Sequence, residues 1–321
     1  MKKTANRKYS ILAGFIALSM PISLQAGIYS SAKANTTAGA IDAGVAGFVG
    51  SAGEGVTATT SNGNYVNPIF VGWATGVVDY SPAPGVASNW QTSSNALGAV
   101  TGDNMGIVTL GDLYDTSKLT SVDATVQDDS YGFIGYDDPG EITLSFSSGI
   151  SNGNGADFAV FENGFISNST QKLFAELAYV EVSSDGEHFA RFDSVSNTSA
   201  QVGGYGTIDA TDVYNLAGKH VNAYGNSWGT PFDLETLEDD VMVTNGLVDL
   251  DNISYVRIVD IPGSGYYTDS LGNPIYDAWV TYGSGGFDLE AVGVINAVPE
   301  PATITLLAMG VLGFAGKRRK N

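Results

Sequence analysis

Cysteine is absent from the 321 residues, which removes disulfides, thiol catalysis, zinc ribbons and iron–sulfur centres together. Histidine is nearly as scarce: His188 and His220 are the whole supply, too few for most histidine-based catalysis or metal ligation. Bases are few and unevenly placed. Of 14 Lys and Arg, four (Lys2, Lys3, Arg7, Lys8) open the chain and four (Lys317, Arg318, Arg319, Lys320) close it, so residues 27–316 hold six bases against all 34 acids. Such a surface repels phosphate backbones and excludes nucleic acid as a partner. It leaves divalent cations and cationic partners open. Long helical stripes are missing too, as is any repeat at the spacing of solenoids or propellers. What remains is 43% hydrophobic and 11% aromatic, enough for a sizeable core, so the chain is not disordered throughout.

Both ends are addresses. Met1–Tyr9 is basic, Ile11–Met20 is apolar, and Pro21 breaks the run ahead of Ser23-Leu24-Gln25-Ala26. This order of charged, apolar and small residues predicts a secretory signal peptide over residues 1–26, with an apolar part too short to span a bilayer. Cleavage after Ala26 fits the distance from the apolar run, and Ala32-Lys33-Ala34 is the second candidate. At the other end Pro299-Glu300-Pro301 precedes the apolar segment Ala302–Gly316 and the bases Lys317–Lys320. At 1.5 Å per residue that segment reaches roughly 22 Å, marginal for a hydrocarbon core of about 30 Å. The terminal bases act as a cytoplasmic stop signal, so the residues between the two ends lie outside the inner membrane.

This tail resembles the PEP-CTERM sorting signal of Gram-negative, exopolysaccharide-producing bacteria, with Pro299, Glu300, Pro301, the apolar span and Lys317, Arg318, Arg319 and Lys320 in the family's order. The resemblance implies that the chain passes the Sec translocon and signal peptidase and is held briefly in the inner membrane. An exosortase-type transpeptidase then cleaves it near Pro-Glu-Pro and releases it to the cell surface or extracellular matrix.

Between the addresses, residues 27–60 are mostly Ala, Gly, Ser and Thr and predict a poorly ordered lead-in. Residues 61–297 predict one all-β domain, a two-sheet antiparallel sandwich with long loops. The strand signals are period-two alternations bounded by turn residues: Glu141–Phe146, Ala178–Val182, Ser254–Val259 and Phe287–Ile295. Asp157–Phe161 is apolar on both faces, as an inner strand would be. Gln171–Leu177 and Leu234–Asp239 each predict one or two helical turns, the second capped by Asp233. Val180–Phe189, a strand followed by an Asp185-Gly186 turn and an aromatic, resembles the hairpin of discoidin-like domains with the galactose-binding jelly-roll fold. Tyr255-Val256-Arg257-Ile258 resembles a late strand of the same domains. The body is also similar to uncharacterised bacterial surface proteins carrying Asp157–Asn163 and Gly285–Leu289, a likeness that implies no known activity.

Candidate chemistry is sparse. Gly225-Asn226-Ser227-Trp228-Gly229 fits G-x-S-x-G, but both histidines precede Ser227 and Thr230-Pro231 opposes a following helix, so it reads as a Gly-rich turn rather than a nucleophile elbow. Calcium needs only oxygen ligands. The Asn152–Asp157 loop, continuing to Glu162-Asn163, supplies them, and Asp157, Glu162, Asn163 and Asp288 are the candidate ligands, Asp288 being brought in by strand pairing. Asp128, Asp129, Asp137 and Asp138 form a second acidic cluster, Asp249 and Asp251 a third; each is otherwise a solvated acidic loop. A sugar platform could come from Trp73, Trp90, Trp228 and Trp279, or from Tyr205, Tyr224, Tyr266 and Tyr267. Trp228 ranks first, because Trp73 and Trp279 lie in apolar runs. The expectation is a non-enzymatic, calcium-binding surface protein that is structural or binds extracellular polysaccharide. The alternative is a glycoside hydrolase using a carboxylate pair, Glu162 with Glu176 or Glu181.

Overall fold

The computed structural model describes residues 29–33, 42–51, 64–112, 139–281 and 283–299. The signal peptide, the acidic cluster at residues 128–138 and the apolar tail with its bases lie outside the described residues. Two main antiparallel sheets organise the rest. Their strands are β1 (Val45–Ala46), β2 (Gly72–Trp73), β3 (Gly76–Ser81), β4 (Val108–Thr109), β5 (Glu141–Ile150), β6 (Phe158–Glu162), β7 (Ala178–Ser183), β8 (Ala190–Arg191), β9 (Trp228–Phe232), β10 (Ile253–Asp260) and β11 (Asp288–Val294). The first sheet runs β1-β9-β6-β11-β2 with β4 also on β11, and the second runs β8-β7-β10-β5-β3. Among the described residues the α-helix is limited to Val241–Thr244, and no helix is long and apolar enough to cross a membrane.

One hydrophobic cluster joins the two sheets. Ile142 and Leu144 of β5, Val180 and Val182 of β7 and Val256 and Ile258 of β10 meet Phe158 and Val160 of β6, Phe232 of β9 and Leu289 and Val292 of β11. Burying each large side chain of this kind stabilises the fold by roughly 1.5–3 kcal/mol. The alternate residues are covered as well. Tyr179 and Val259 pack under a loop layer containing Leu173, Val213 and Ile275, and Phe161 and Ala291 pack under Phe70 and Trp73. Strands β6 and β7 are therefore buried on both faces.

Three expectations change. Gln171–Leu177 forms no helical turn; Leu173–Phe174 is a short strand paired with Phe165–Ile166, because the burial of Leu173 and Leu177 outweighs local propensity. Asp185-Gly186 does not make a two-residue hairpin. Residues 184–189 separate β7 from β8, Gly186 alone takes a positive φ, of 82°, and Asp185 Oδ1 accepts from the amides of Glu187 (2.8 Å) and His188 (2.9 Å). Finally, the lead-in contributes to the core. Tyr29, Ala32 and Asp42 are buried, the Tyr29 ring stacks on Tyr214 at 5.0 Å, and Ser30 N donates to Asp42 Oδ1 at 2.8 Å. The Leu234–Leu237 turn forms as expected, with Asp233 accepting from Glu235 N at 3.0 Å.

Candidate functional site

Strand register brings acids together at one end of the sheets. Glu162 ends β6 beside Leu289 of β11, and Asp288 opens β11 opposite Thr109 of β4, three residues before Asp112. In the other sheet Asp260 ends β10 opposite Ala178, directly after Glu176 and Leu177. Phe287 N donates to Asp260 Oδ1 at 2.6 Å across the sheets, and Leu177 N donates to Asp277 Oδ2 at 2.6 Å. Six carboxyl groups (Asp112, Glu162, Glu176, Asp260, Asp277 and Asp288) are thus buried at one end. Among the described residues none of the six is ion-paired to a base.

Burial without counter-ions penalises the charged form. Burial is the larger cause and neighbouring acids add to it: Glu162 and Glu176 are raised well above the ordinary carboxylate range with Asp288 as the chief neighbour, Asp260 and Asp277 with Asp112. Burial raises Asp112 to about 7 against its hydrogen bonds to Thr281. It raises Asp288 to about 8 against those to Thr109 and Asn163. Geometry also calls for a proton. Thr281 Oγ1 lies 2.6 Å from Asp112 Oδ2 and 2.5 Å from Glu176 Oε1, and takes Gly286 N at 3.1 Å. One hydroxyl hydrogen cannot serve both carboxylates, so at least one of the two acids carries a proton here.

Glu176 and Asp288 reach the floor of a cleft of about 190 Å³, alongside Asn163 and Thr281. Its walls are aromatic: Trp90, Phe165, Phe174, Tyr205 and Tyr224. Phe165 stacks on Phe174 at 4.9 Å and meets Tyr224 edge-on at 5.3 Å. Tyr205 and Tyr224 are 81% and 72% exposed. Tyr224 also holds φ at +53°, a left-handed conformation that is uncommon for an aromatic residue. A second depression of about 560 Å³ lies on the far side of Phe165 and Tyr224, lined also by Lys33, Asn168 and Asn226. Two devices hold this wall. The buried Glu290 accepts from Thr101 N at 2.8 Å and, through its other oxygen, from Asn222 Nδ2, two residues before Tyr224. Gly218 lies so close to Glu176 that a Cβ there would fall 2.1 Å from the Glu176 carbonyl oxygen.

Of the predicted calcium ligands, Glu162, Asn163 and Asp288 come together: Asn163 Nδ2 donates to Asp288 Oδ2 at 3.2 Å. Asp157 does not join them. It precedes β6 while Glu162 ends it, a separation of roughly 17 Å along the strand, and its oxygens accept from Gly153 N (2.8 Å), Leu234 N (2.7 Å) and Asn296 Nδ2 (2.8 Å). As they stand, no three acidic or histidine side chains among the described residues form a metal-ligating group. The expectation that Trp228 is exposed fails. It is half-buried, starts β9 and packs against the loop-layer core. Ser227 is buried and makes no catalytic triad, since His220 lies between Ser30 (3.2 Å) and Thr230 (3.3 Å). Burial pushes the His220 imidazole well below its usual value. Glu181 is committed to Arg191 at 2.7 Å and to Arg257 at 2.6 Å, which removes it as half of a catalytic pair. Asp249 belongs to a surface turn, its carboxylate accepting from Asp251 N at 3.1 Å and its amide donating to Ser184 Oγ at 3.1 Å. Asp112, Asp260 and Asp277 carry no motif; their one sequence signal is an acid at a strand end or in a Gly-rich connection.

Asn296 is pinned to Asp157, Ala297 packs on the core, and Pro299 is the last described residue of that stretch. Residues 297–320 match the family described as the PEP-CTERM protein-sorting motif. Among curated proteins none matches the chain. A β-rich body joined without a spacer to that motif is an exosortase substrate, exported and anchored by its C-terminal segment until it is cleaved.

Proposed function

We propose that the sorted protein is a non-enzymatic component of the cell surface or extracellular matrix that binds polysaccharide at the aromatic-walled end of its sheets. The observation that carries this reading is the Phe165–Tyr224 wall, which stands between two depressions and rises from a floor of Asn163, Glu176, Thr281 and Asp288. Aromatic faces take the apolar face of a sugar ring while amides and carboxyls take its hydroxyls. The cleft is smaller than the roughly 300–1,000 Å³ of ordinary small-molecule sites, so it suits one residue of a chain whose next residues cross Tyr224 into the neighbouring depression. The body is read as a galactose-binding-like jelly roll. Supporting this, the two resembling segments are neighbours: Val182 of β7 pairs with Val256 of β10, and Arg257 lies 3.9 Å from the Phe189 ring centre.

The test is binding of the full-length protein to the host's own exopolysaccharide and to a glycan panel. Tyr224→Ala is expected to weaken binding at least tenfold, and Trp228→Ala much less, provided the latter still folds. Equal affinity for wild type and Tyr224→Ala, or no binding to any glycan, overturns the proposal. Because Glu176 and Asp288 share the cleft, a hydrolase is the second reading. Release of reducing ends by wild type and its loss in Glu176→Gln would select it.

A further inference from the structure

We infer that the buried acidic cluster around Asp288 is a binding site for a hard divalent cation, calcium by size and ligand preference, formed by Glu162, Glu176, Asp260 and Asp288. This goes beyond the glycan reading and does not depend on it.

Three observations point the same way. Asp288 is central by position: Glu162 pairs opposite its neighbour Leu289, Asp260 accepts from its other neighbour Phe287, and Glu176 lines the same cleft. Second, two carboxylate oxygens there have no hydrogen-bond partner: Glu162 Oε1 and Asp260 Oδ2, on residues that are each 1% exposed. An unsatisfied buried carboxylate oxygen is costly, and more so than a neutral one. The partnered oxygens of the same groups accept from Gly164 N at 2.7 Å and Phe287 N at 2.6 Å, so the backbone holds one oxygen of each carboxyl and leaves the other unmatched. Third, the inventory of donors matches the ion. All the groups are oxygens, and Thr281 and Asn163 add neutral ones beside the carboxylates; calcium accepts six to eight such ligands at about 2.3–2.6 Å in flexible geometry. No nitrogen or sulfur ligand that would favour a transition metal is present in the cluster.

The carboxyls are not at ligand distances from a common point as they stand. Binding must therefore draw them inward, and the carboxyls that become ligands must be ionised. Magnesium, which demands near-ideal octahedral geometry, is a poor fit to this irregular set of donors.

The experiment is calorimetric and thermal titration of the full-length chain, purified in detergent, stripped with chelator and studied at pH 8 with calcium or magnesium alone. Saturable calcium binding and a rise in Tm of at least 5 °C are expected, with magnesium at least tenfold weaker. Glu162→Gln and Asp260→Asn should each weaken calcium at least tenfold, and Asp249→Asn in the exposed acidic turn should leave it unchanged. In chelator, Glu162→Gln and Asp260→Asn should melt at or above wild type, because each removes a buried carboxyl with an unpartnered oxygen; that readout separates loss of a ligand from failure to fold. No calcium binding by wild type, or equal binding by both amide variants, overturns the inference and leaves protons alone as the neutralising agent.

Discussion

The buried pair Lys219–Asp42 shows how much one residue can carry in a chain this poor in bases. The Lys219 side chain is wholly buried, and its ammonium donates to Asp42 and to the Val213 carbonyl. Burial lowers the amine to about 8 despite Asp42, which pulls the other way. Breaking such a pair costs far more than the pair is worth against an apolar substitute, because one charge is left stranded. Asp42→Asn is therefore expected to destabilise the protein by roughly 3–5 kcal/mol in denaturant unfolding. Adding Lys219→Met should restore part of that, since a thioether needs no counter-ion. An unchanged denaturation midpoint in Asp42→Asn would show that the pair contributes nothing. Residue roles of this sort were barely legible beforehand. Asp42 sits in an Ala- and Gly-rich stretch that reads as lead-in, and its partner lies far along the chain; nothing local announces the contact.

At the scale of elements, legibility follows the range of the forces involved. Strands β5, β7, β10 and β11 could be found because alternation is a local property of each segment. The inner position of β6 was legible because it is apolar on both faces. The Gln171–Leu177 segment departs from its local helical signal because its outcome depends on a distant partner, Ile208, to whose carbonyl Leu173 N donates at 3.0 Å. The candidate site divides in the same way. Glu162, Asn163 and Asp288 were recognisable as oxygen donors, and Trp90, Tyr205 and Tyr224 as candidate aromatics, but their convergence is set by register between sheets. The N-terminal segment supplies a prediction at this scale. Ala32 O accepts from Val221 N at 2.9 Å and Lys33 O from Gly44 N at 3.3 Å, and Tyr29 and Ala32 are buried. Signal cleavage after Ala34 would strip these contacts from the body, whereas cleavage after Ala26 keeps them. N-terminal sequencing of the exported protein is expected to begin at Gly27. A sequence beginning at Asn35 would show that the body does without this strap.

Taken whole, the molecule is polarised. The sorting motif follows β11 at one end, and the acids open β11 at the other, roughly 20 Å away along the strand; an anchored chain thus carries its candidate site away from the point of attachment. That acid-bearing end should dominate the pH dependence of the metal-free protein. Asp112 and Asp288 rise from 3.8 to about 7 and about 8 on folding, and Glu162, Glu176, Asp260 and Asp277 move the same way. The folded state then holds protons that the unfolded chain has released. The resulting stability is fully present below the unfolded carboxylate value and is lost as pH climbs through the folded ones. Two buried groups have the opposite slope, outside the window of interest. His220, depressed from 6.5, loses stability as pH falls below that value. Lys219, lowered from 10.5 to about 8, regains it only as pH rises above the latter. Between pH 6.5 and 8 the acids act with little opposition, because the folded chain keeps protons that the unfolded chain has already lost; Asp112 and Asp288 alone correspond to roughly 2–3 kcal/mol across that interval. Thermal unfolding in chelator should therefore show Tm falling by about 5–10 °C across that interval. Saturating calcium should flatten the fall, because an ion bound to the folded state alone adds stability where the protons have left. A Tm in chelator that rises from pH 6.5 to 8 would mean that the six carboxyls are already ionised and neutralised in the folded chain, by a base contributed from outside the described residues.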